Sequence, residues 1–201
     1  YDDNYTDYQD TIPHLFYYNA FLMLSNGTEA KVGTLGSKYE FFHEWKRLAE
    51  DDQGSVALET MLRGICKKEN FLDLFENFIL FDHSGGRTAK ILARNHQYLG
   101  VNEAMKAYSA RKLNDGKLGV FWHTQGSGKS YSMVFFAQKI RRKFEGSPTF
   151  VILTDREELN SQISDTFENC GLLGKNKSSQ FIAASGENLV QKLKGNPSFI
   201  F

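Results

Sequence analysis

The sequence predicts an α/β fold built on a parallel sheet, on three observations. In the second half of the chain, short apolar runs alternate with amphipathic helical stretches. A glycine-rich loop joins one of those runs to the helix after it. The resulting strand, helix, strand order is a βαβ unit, whose strands run parallel because a crossover separates them. Over 201 residues, 41% hydrophobic and 24% charged content suits a globular domain and excludes a disordered tail, a collagen-like fibre and a coiled-coil rod.

The elements follow in order. Residues 18–34 alternate loosely around Asn26-Gly27, the dipeptide that supplies φ > 0 at both central positions of a type I′ turn, so a hairpin is expected there. Phe41, Phe42, Trp45 and Leu48 space as one face of a helix. From Val56 to Phe81 the apolar positions recur at three and four, giving two short helices broken near Asn70, the Phe-rich second one in the core. Asp82 to Arg87 carries turn residues and is the expected linker between two halves of the chain. A helical stretch from about Thr88 to Arg111 precedes a short buried strand, Leu118 to Trp122. After the glycine loop, Met133, Val134, Ala137 and Ile140 form a helical stripe, followed by the strand Phe150 to Leu153. Asp155 is placed to cap the next helix, with Glu158 as its capping-box partner and Leu159, Ile163 and Phe167 on one face. A further cycle runs through a strand at Phe181 to Ala184, a helix around Leu189 to Leu193 and a strand at Phe199 to Phe201, for three or four parallel strands in all.

Zero net charge hides a split. Residues 1–60 hold four Lys/Arg against eleven Asp/Glu, a net −7, which leaves +7 on residues 61–201. The basic part suits polyanions such as nucleotide phosphates or a DNA backbone, although a solvated charged surface has the same composition. No apolar run is as long as the roughly 18 residues a membrane helix needs. Cys66 and Cys170 lack metal-ligand spacing, so neither a disulfide framework nor a zinc site is expected and a cytoplasmic address fits. The chain opens on Tyr1 without an initiator Met and closes on an apolar strand, as an excised piece of a longer protein would.

The strongest chemical signal is Gln125, Gly126, Ser127, Gly128, Lys129 and Ser130, set between a strand and a helix. A triphosphate needs several backbone N–H donors converging without Cβ obstruction, which Gly126 and Gly128 allow, and the following helix adds its positive end. Lys129 then reaches the β- and γ-phosphates, and the Ser130 hydroxyl holds Mg²⁺. The full pattern wants Gly where this chain has His123. About thirty residues upstream, the Gln97 amide can read the donor and acceptor edge of adenine, though a solvated Gln on a helix looks the same. Thr154, Asp155 and Arg156 follow a strand at the carboxyl edge of the sheet, where open α/β folds place ligands. A helix cap accounts for Asp155, while Thr154 and Arg156 also suit a DNA phosphate. Glu44-Trp45-Lys46 matches the E-x-K of metal-dependent nucleases, but on an amphipathic helix it reads as structural. Arg141, Arg142 and Lys143 complement a helix dipole.

The string from Gly119 to Ser130, with Asn95 to Asn102 before it and Leu153 to Asn160 after it, resembles the restriction (R) subunit of type I restriction-modification enzymes. The likeness extends to Ile12-Pro13, Tyr18 to Ala20, Ser25 to Gly27, Trp45 to Arg47 and Glu76 to Leu80, and so covers essentially the whole chain. Such subunits carry a nuclease domain of the PD-(D/E)xK type and two RecA-like superfamily 2 motor domains that pump double-stranded DNA with ATP before cutting it. The resemblance implies the distal part of an α+β nuclease domain at 1–55, a helical connector at 56–87, and the N-terminal part of RecA-like motor domain 1 at 88–201. It implies ATP and Mg²⁺ as cofactors, with Thr124, Gln125, Gly126, Ser127, Gly128, Lys129, Ser130 and Gln97 around ATP, Lys129 as the catalytic lysine, Ser130 at the metal, and Thr154 and Arg156 on DNA. Asn4 and Tyr8 fall to the last motif of the nuclease domain, whose metal ligands are expected upstream of Tyr1; the Mg²⁺-binding carboxylates and the second motor domain are expected after Phe201. Methyltransferase (M) and specificity (S) subunits are the implied partners.

Three function classes compete. The first is a DNA-translocating restriction ATPase. The second is another P-loop protein, either a superfamily 2 helicase or translocase without nuclease activity or a nucleotide kinase, and Gln97 with Asp155-Arg156 favours the helicase lineage. The third is an interaction module, in which acidic residues 1–60 dock on another subunit.

Overall fold

The computed structural model describes residues 2–174 and 178–201; Tyr1, the start of the excised-piece reading, lies outside them. It is a mixed α/β structure with a short parallel sheet, and it divides into two compact units. One holds residues 1–80 and 89–103, the other residues 81–88 and 104–201. Among the described residues no helix is long and apolar enough to cross a membrane.

The first unit opens with a π-helical segment (Asp2–Thr6) that leads into helix α1 (Asp7–Thr11) and a 3-10 turn whose first residue is Pro13, where a missing N–H costs nothing. Strands β1 (Leu22–Ser25) and β2 (Ala30–Gly33) pair antiparallel, as expected of the hairpin. The turn differs. Ser25 pairs with Ala30, so the loop has four residues, and Gly27 alone among them takes positive φ, at 98°. Asn26 instead uses its side chain, with Oδ1 accepting from the N–H groups of Thr28 (3.1 Å) and Glu29 (2.8 Å). An Asx-turn replaces the type I′ geometry because the carboxamide satisfies both donors locally. Tyr5, Phe16 and Phe42 form a small ring cluster over Leu22, Leu24 and Leu35.

Residues 42–47 form no helix, with Phe42 extended and His43 in a bridge. His43 bridges Val32 with backbone bonds of 2.9 Å in both directions, so the ladder of β2 overrides the helical spacing of Phe41, Phe42, Trp45 and Leu48. Trp45, 2% exposed, packs on Tyr98, which also meets Phe78, and Met61, Ile65 and Leu74 are fully buried in the same unit. Met61 and Ile65 come from α2 (Leu58–Ile65), and Leu74 from α3 (Lys68–Asn77). The break between these helices falls at Cys66-Lys67, not at Asn70, whose Nδ2 donates to the Gly64 carbonyl (2.8 Å) at the end of α2. Half of the expected Phe face is core: Leu74 and Phe78 are fully buried, while Phe71 and Phe75 are 40% and 58% exposed.

Two more strands replace expected helix and linker. β3 (Ile79–Asp82) and β4 (Ala89–Leu92) pair, so residues 83–88 turn between strands and the expected linker is that turn. The following helix, α4 (Asn95–Ser109), starts seven residues later than its periodicity suggested, β4 having taken the first apolar positions. Asn95 clasps the backbone of Arg47, donating to its carbonyl and accepting from its N–H at 2.9 Å each.

The second unit is built around α5 (Lys129–Lys143), which buries Val134, Phe135, Ala137 and Ile140; Met133 of the expected stripe is 42% exposed. β5 (Phe150–Val151) runs parallel to β6 (Phe199–Ile200), with α6 (Glu157–Asn169), α7 (Ser178–Phe181) and α8 (Gly186–Lys194) in the crossover. The Phe201 N–H donates to the Phe181 carbonyl (2.8 Å) and the Ala183 N–H to the Phe201 carbonyl (2.7 Å), a parallel-ladder pattern on the other side of β6. The expected third strand is thus present as backbone bonds, with α7 occupying its first residue. Phe167 of α6 sits edge-on to Phe199 (5.3 Å) and Phe201 (5.4 Å) and closes this core.

Two further expectations fail in this unit. Leu118 to Trp122 is no strand: Gly119 sits at φ 106°, outside the β region, and Val120 and Trp122 are 94% and 78% exposed. Nor does Asp155 cap α6. Arg156 holds the N-cap position and no side chain bonds the helix N–H groups there. α8 carries the cap the sequence did not announce, Ser185 accepting from the Asn188 N–H at 3.1 Å.

Candidate nucleotide-binding site

The glycine loop turns through residues 125–127 and delivers the chain to the head of α5. Gly126 (φ 77°) and Gly128 (φ 85°) both take the left-handed conformation, which side chains with a Cβ disfavour. Nothing lies within 4 Å of a Cβ added to Gly126, so the backbone conformation, not crowding, demands glycine there. The Ser127 N–H returns to the Thr124 carbonyl at 3.3 Å and closes the turn. Where the full motif has its first glycine, His123 packs edge-on against Phe121, ring centroids 4.5 Å apart.

Lys129 is exposed and opens the helix. Its Nζ donates to the carbonyls of His123 and Thr124, 2.9 Å each, so the ammonium is held over the loop. These acceptors are neutral, and a phosphate oxygen in the same place is a stronger partner for a cation. Ser130, half-buried, follows in the first turn. That turn contains no acidic residue, while Arg141, Arg142 and Lys143 fill the last one. The positive end of this fifteen-residue helix thus has no acidic side chain in its first turn, while its negative end is matched by three cations.

The other expected site residues stand as follows. Thr124 and Gln125 flank the loop and are exposed. Thr154 and Arg156 lie in the same unit as the loop, a few residues after the end of β5 at Val151; Thr154 Oγ1 donates to the Arg156 carbonyl (3.3 Å), and the exposed guanidinium is 3.8 Å from Asp155. Gln97 belongs to the first unit. It is 3% exposed, and its Oε1 accepts from the Arg94 N–H (2.8 Å) at the head of α4. Glu44 and Lys46 pair with each other at 2.8 Å outside any helix, and among the described residues no group of three or more His, Cys, Asp and Glu gathers to hold a metal ion.

One pair beside the loop escaped sequence reading. Tyr131, on the first turn of α5, donates its hydroxyl to Asp82 Oδ2, and the Ser84 N–H donates to Oδ1 of the same carboxylate (2.7 Å). Asp82 is 5% exposed. Burial raises its pKa, yet the Tyr131 hydroxyl, the Ser84 N–H and hydroxyl and the nearby His83 together outweigh it and hold the carboxyl below its usual range. Burial and the neighbouring carboxylate push the Tyr131 phenol up, so it stays a donor. Burial, and then Asp82, push the Cys170 thiol up to about 12. Forty-nine residues separate Asp82 from Tyr131, and no local pattern relates them.

Residues 96–201 match the family model for the SWI2/SNF2 ATPase. The chain is similar to the type I restriction enzyme HindI endonuclease subunit of Haemophilus influenzae, 39% identical over 176 residues that cover 83% of this chain and 17% of that protein. It is also similar to the putative type I restriction enzyme MjaIXP endonuclease subunit of Methanocaldococcus jannaschii, 31% identical over 194 residues, 84% of this chain and 18% of that one. The chain spans less than a fifth of the length of these relatives. The resemblance carried by its motifs is borne out.

Proposed function

This chain belongs to the SWI2/SNF2 ATPase family, and from that premise we propose that it is the ATP-binding part of a type I restriction endonuclease subunit, which translocates double-stranded DNA with ATP and cleaves it away from the recognition sequence. The observation that carries the reading is the glycine loop at the head of α5, with Lys129 Nζ folded onto the loop carbonyls. The residues fit the ligand. Two glycines in the left-handed conformation turn the backbone with no Cβ on the loop face, an acid-free helix terminus follows, and an ammonium and a hydroxyl stand next to each other at its start.

In this reading residues 124–130 cradle the phosphates, Lys129 neutralises charge on the β- and γ-phosphates as the catalytic lysine, and Ser130 holds Mg²⁺. The metal, when bound, supplies further charge neutralisation at the phosphate oxygens. Gln97 reads adenine, and Thr154 and Arg156 contact a DNA phosphate beyond the carboxyl end of β5. Residues 88–201 are the N-terminal part of a RecA-like motor domain, a reading that the parallel pairing of β5 and β6 supports. Residues 56–87 are then the connector and residues 1–55 the distal part of a nuclease domain. Methyltransferase and specificity subunits are the partners, and the cytoplasm is the location. Calorimetric titration of the chain with ATP and Mg²⁺ tests the core of this: binding is expected, weakened by about ten- to a hundredfold in Lys129→Ala, the loss of one charged hydrogen-bonding group. Equal affinity in the two proteins overturns the reading.

A further inference from the structure

The Asp82–Tyr131 pair is a costly arrangement at a particular place. Taking an ionised carboxylate out of water is unfavourable, and apolar side chains of similar volume hold two segments together at least as well. A hydrogen bond to a carboxylate adds direction, which dispersion contacts lack. The buried apolar residues of α5 are Val134, Phe135, Ala137 and Ile140, all beyond its first turn. That first turn, Lys129 to Ser132, is held instead by polar contacts, and Tyr131 sits in it between Ser130 and Ser132. The carboxylate is anchored in turn, because Ser84 N–H bonds its other oxygen and the His83 N–H bonds the Asn169 carbonyl at 3.2 Å.

We propose that Asp82 is a positioning residue for the glycine loop: through the Tyr131 hydroxyl it pins the first turn of α5 and thereby sets the direction in which Lys129 and Ser130 meet a nucleoside triphosphate. This rests on the nucleotide-binding reading of the loop. Asp82 does not itself touch the ligand, since a carboxylate repels phosphate and the phenolic proton is already committed to it. Its effect is confined to the phosphate end of the nucleotide.

The test uses the full chain with Tyr131→Phe, which removes one oxygen and keeps the ring, with Asp82→Asn and with the double variant. Thermal melts followed by circular dichroism report the fold, and calorimetry reports affinities for Mg-ATP and for AMP. Each single variant is expected to weaken Mg-ATP binding about tenfold and leave AMP binding unchanged, because one charge-assisted hydrogen bond orients the groups that meet the terminal phosphates. The double variant should lose no more than the weaker-binding single, since Tyr131→Phe removes the hydrogen bond and Asp82→Asn strips it of its charge, so both act on the same interaction. A merely structural pair would lower the melting temperature and both affinities together. If Lys129→Ala weakens Mg-ATP binding while Tyr131→Phe leaves it unchanged, or if the two single effects multiply, the positioning role is refuted and the nucleotide reading stands. If the unaltered chain binds no Mg-ATP, the nucleotide reading falls and the positioning role with it. Should Asp82→Asn fail to fold, the ratio of Mg-ATP to AMP affinity in Tyr131→Phe decides alone.

Discussion

Replacing Gly64 by alanine sets helix propensity against packing. Gly64 lies in α2, near its C-terminal end, and an alanine in a helix is favoured over glycine by about 1 kcal/mol, so propensity alone makes the change stabilising. Against this, a methyl group at Gly64 would stand 2.2 Å from Trp45 Nε1 and 2.5 Å from its Cδ1, where ordinary contact begins at 3.4 Å. The indole has little room to retreat: it is 2% exposed and packs on Tyr98 at 5.3 Å between centroids. Overpacking a tight core costs about 1–3 kcal/mol, and an overlap of more than an ångström against a buried ring that already packs on another belongs at the upper end. The balance is a loss of about 2 kcal/mol, which lowers the melting temperature by about 4–8 °C for a chain of this length. Thermal denaturation followed at 222 nm measures it. A melting temperature equal to or above that of the unaltered chain would refute the placement of Trp45 over α2.

Ser185→Ala should cost about 1 kcal/mol in urea denaturation, because Ser185 Oγ caps α8, while Asp155→Ala, which removes no cap, should stay within about 0.5 kcal/mol; the reverse order would overturn the cap assignment. Gln97→Ala should reduce the preference for ATP over GTP about tenfold if its amide reads adenine, and should also cost about 1 kcal/mol of stability because its Oε1 serves the Arg94 N–H. An unchanged ATP to GTP ratio rejects the adenine role. Glu44→Ala removes a surface ion pair with Lys46 and should change stability by less than about 1 kcal/mol. In an intact restriction subunit the same change should leave ATP-driven cleavage nearly untouched, and loss of cleavage with normal translocation would move the nuclease site into this part of the chain.

Legible in the sequence were the features carried by neighbouring residues. The glycine loop is a string whose backbone conformation follows from glycine itself, and the helix behind it follows from apolar spacing at three and four; both appear, with Gly126 and Gly128 at positive φ and α5 starting at Lys129. The βαβ unit expected around the glycine loop does not form, because Leu118 to Trp122 makes no strand; Phe150 to Leu153 and Phe199 to Phe201, also expected as strands, do contribute the parallel pair β5 and β6, and the 39% identical relative supports the family those motifs suggest. Periodicity misled where a segment's state depends on a partner. Phe41 to Leu48 has helical spacing but lies beside β2, and Leu118 to Trp122 has a strand's composition but no ladder among the described residues and a glycine at φ 106° within it. Only the tertiary structure decided the contacts between residues far apart in the chain: Trp45 over Gly64, Asn95 on the backbone of Arg47, and Asp82 joined to α5 through Tyr131. A hydrogen bond or a ring contact between positions nineteen to forty-nine residues apart leaves no trace in local spacing, because what brings the partners together is the packing of whole elements and not the preference of either residue.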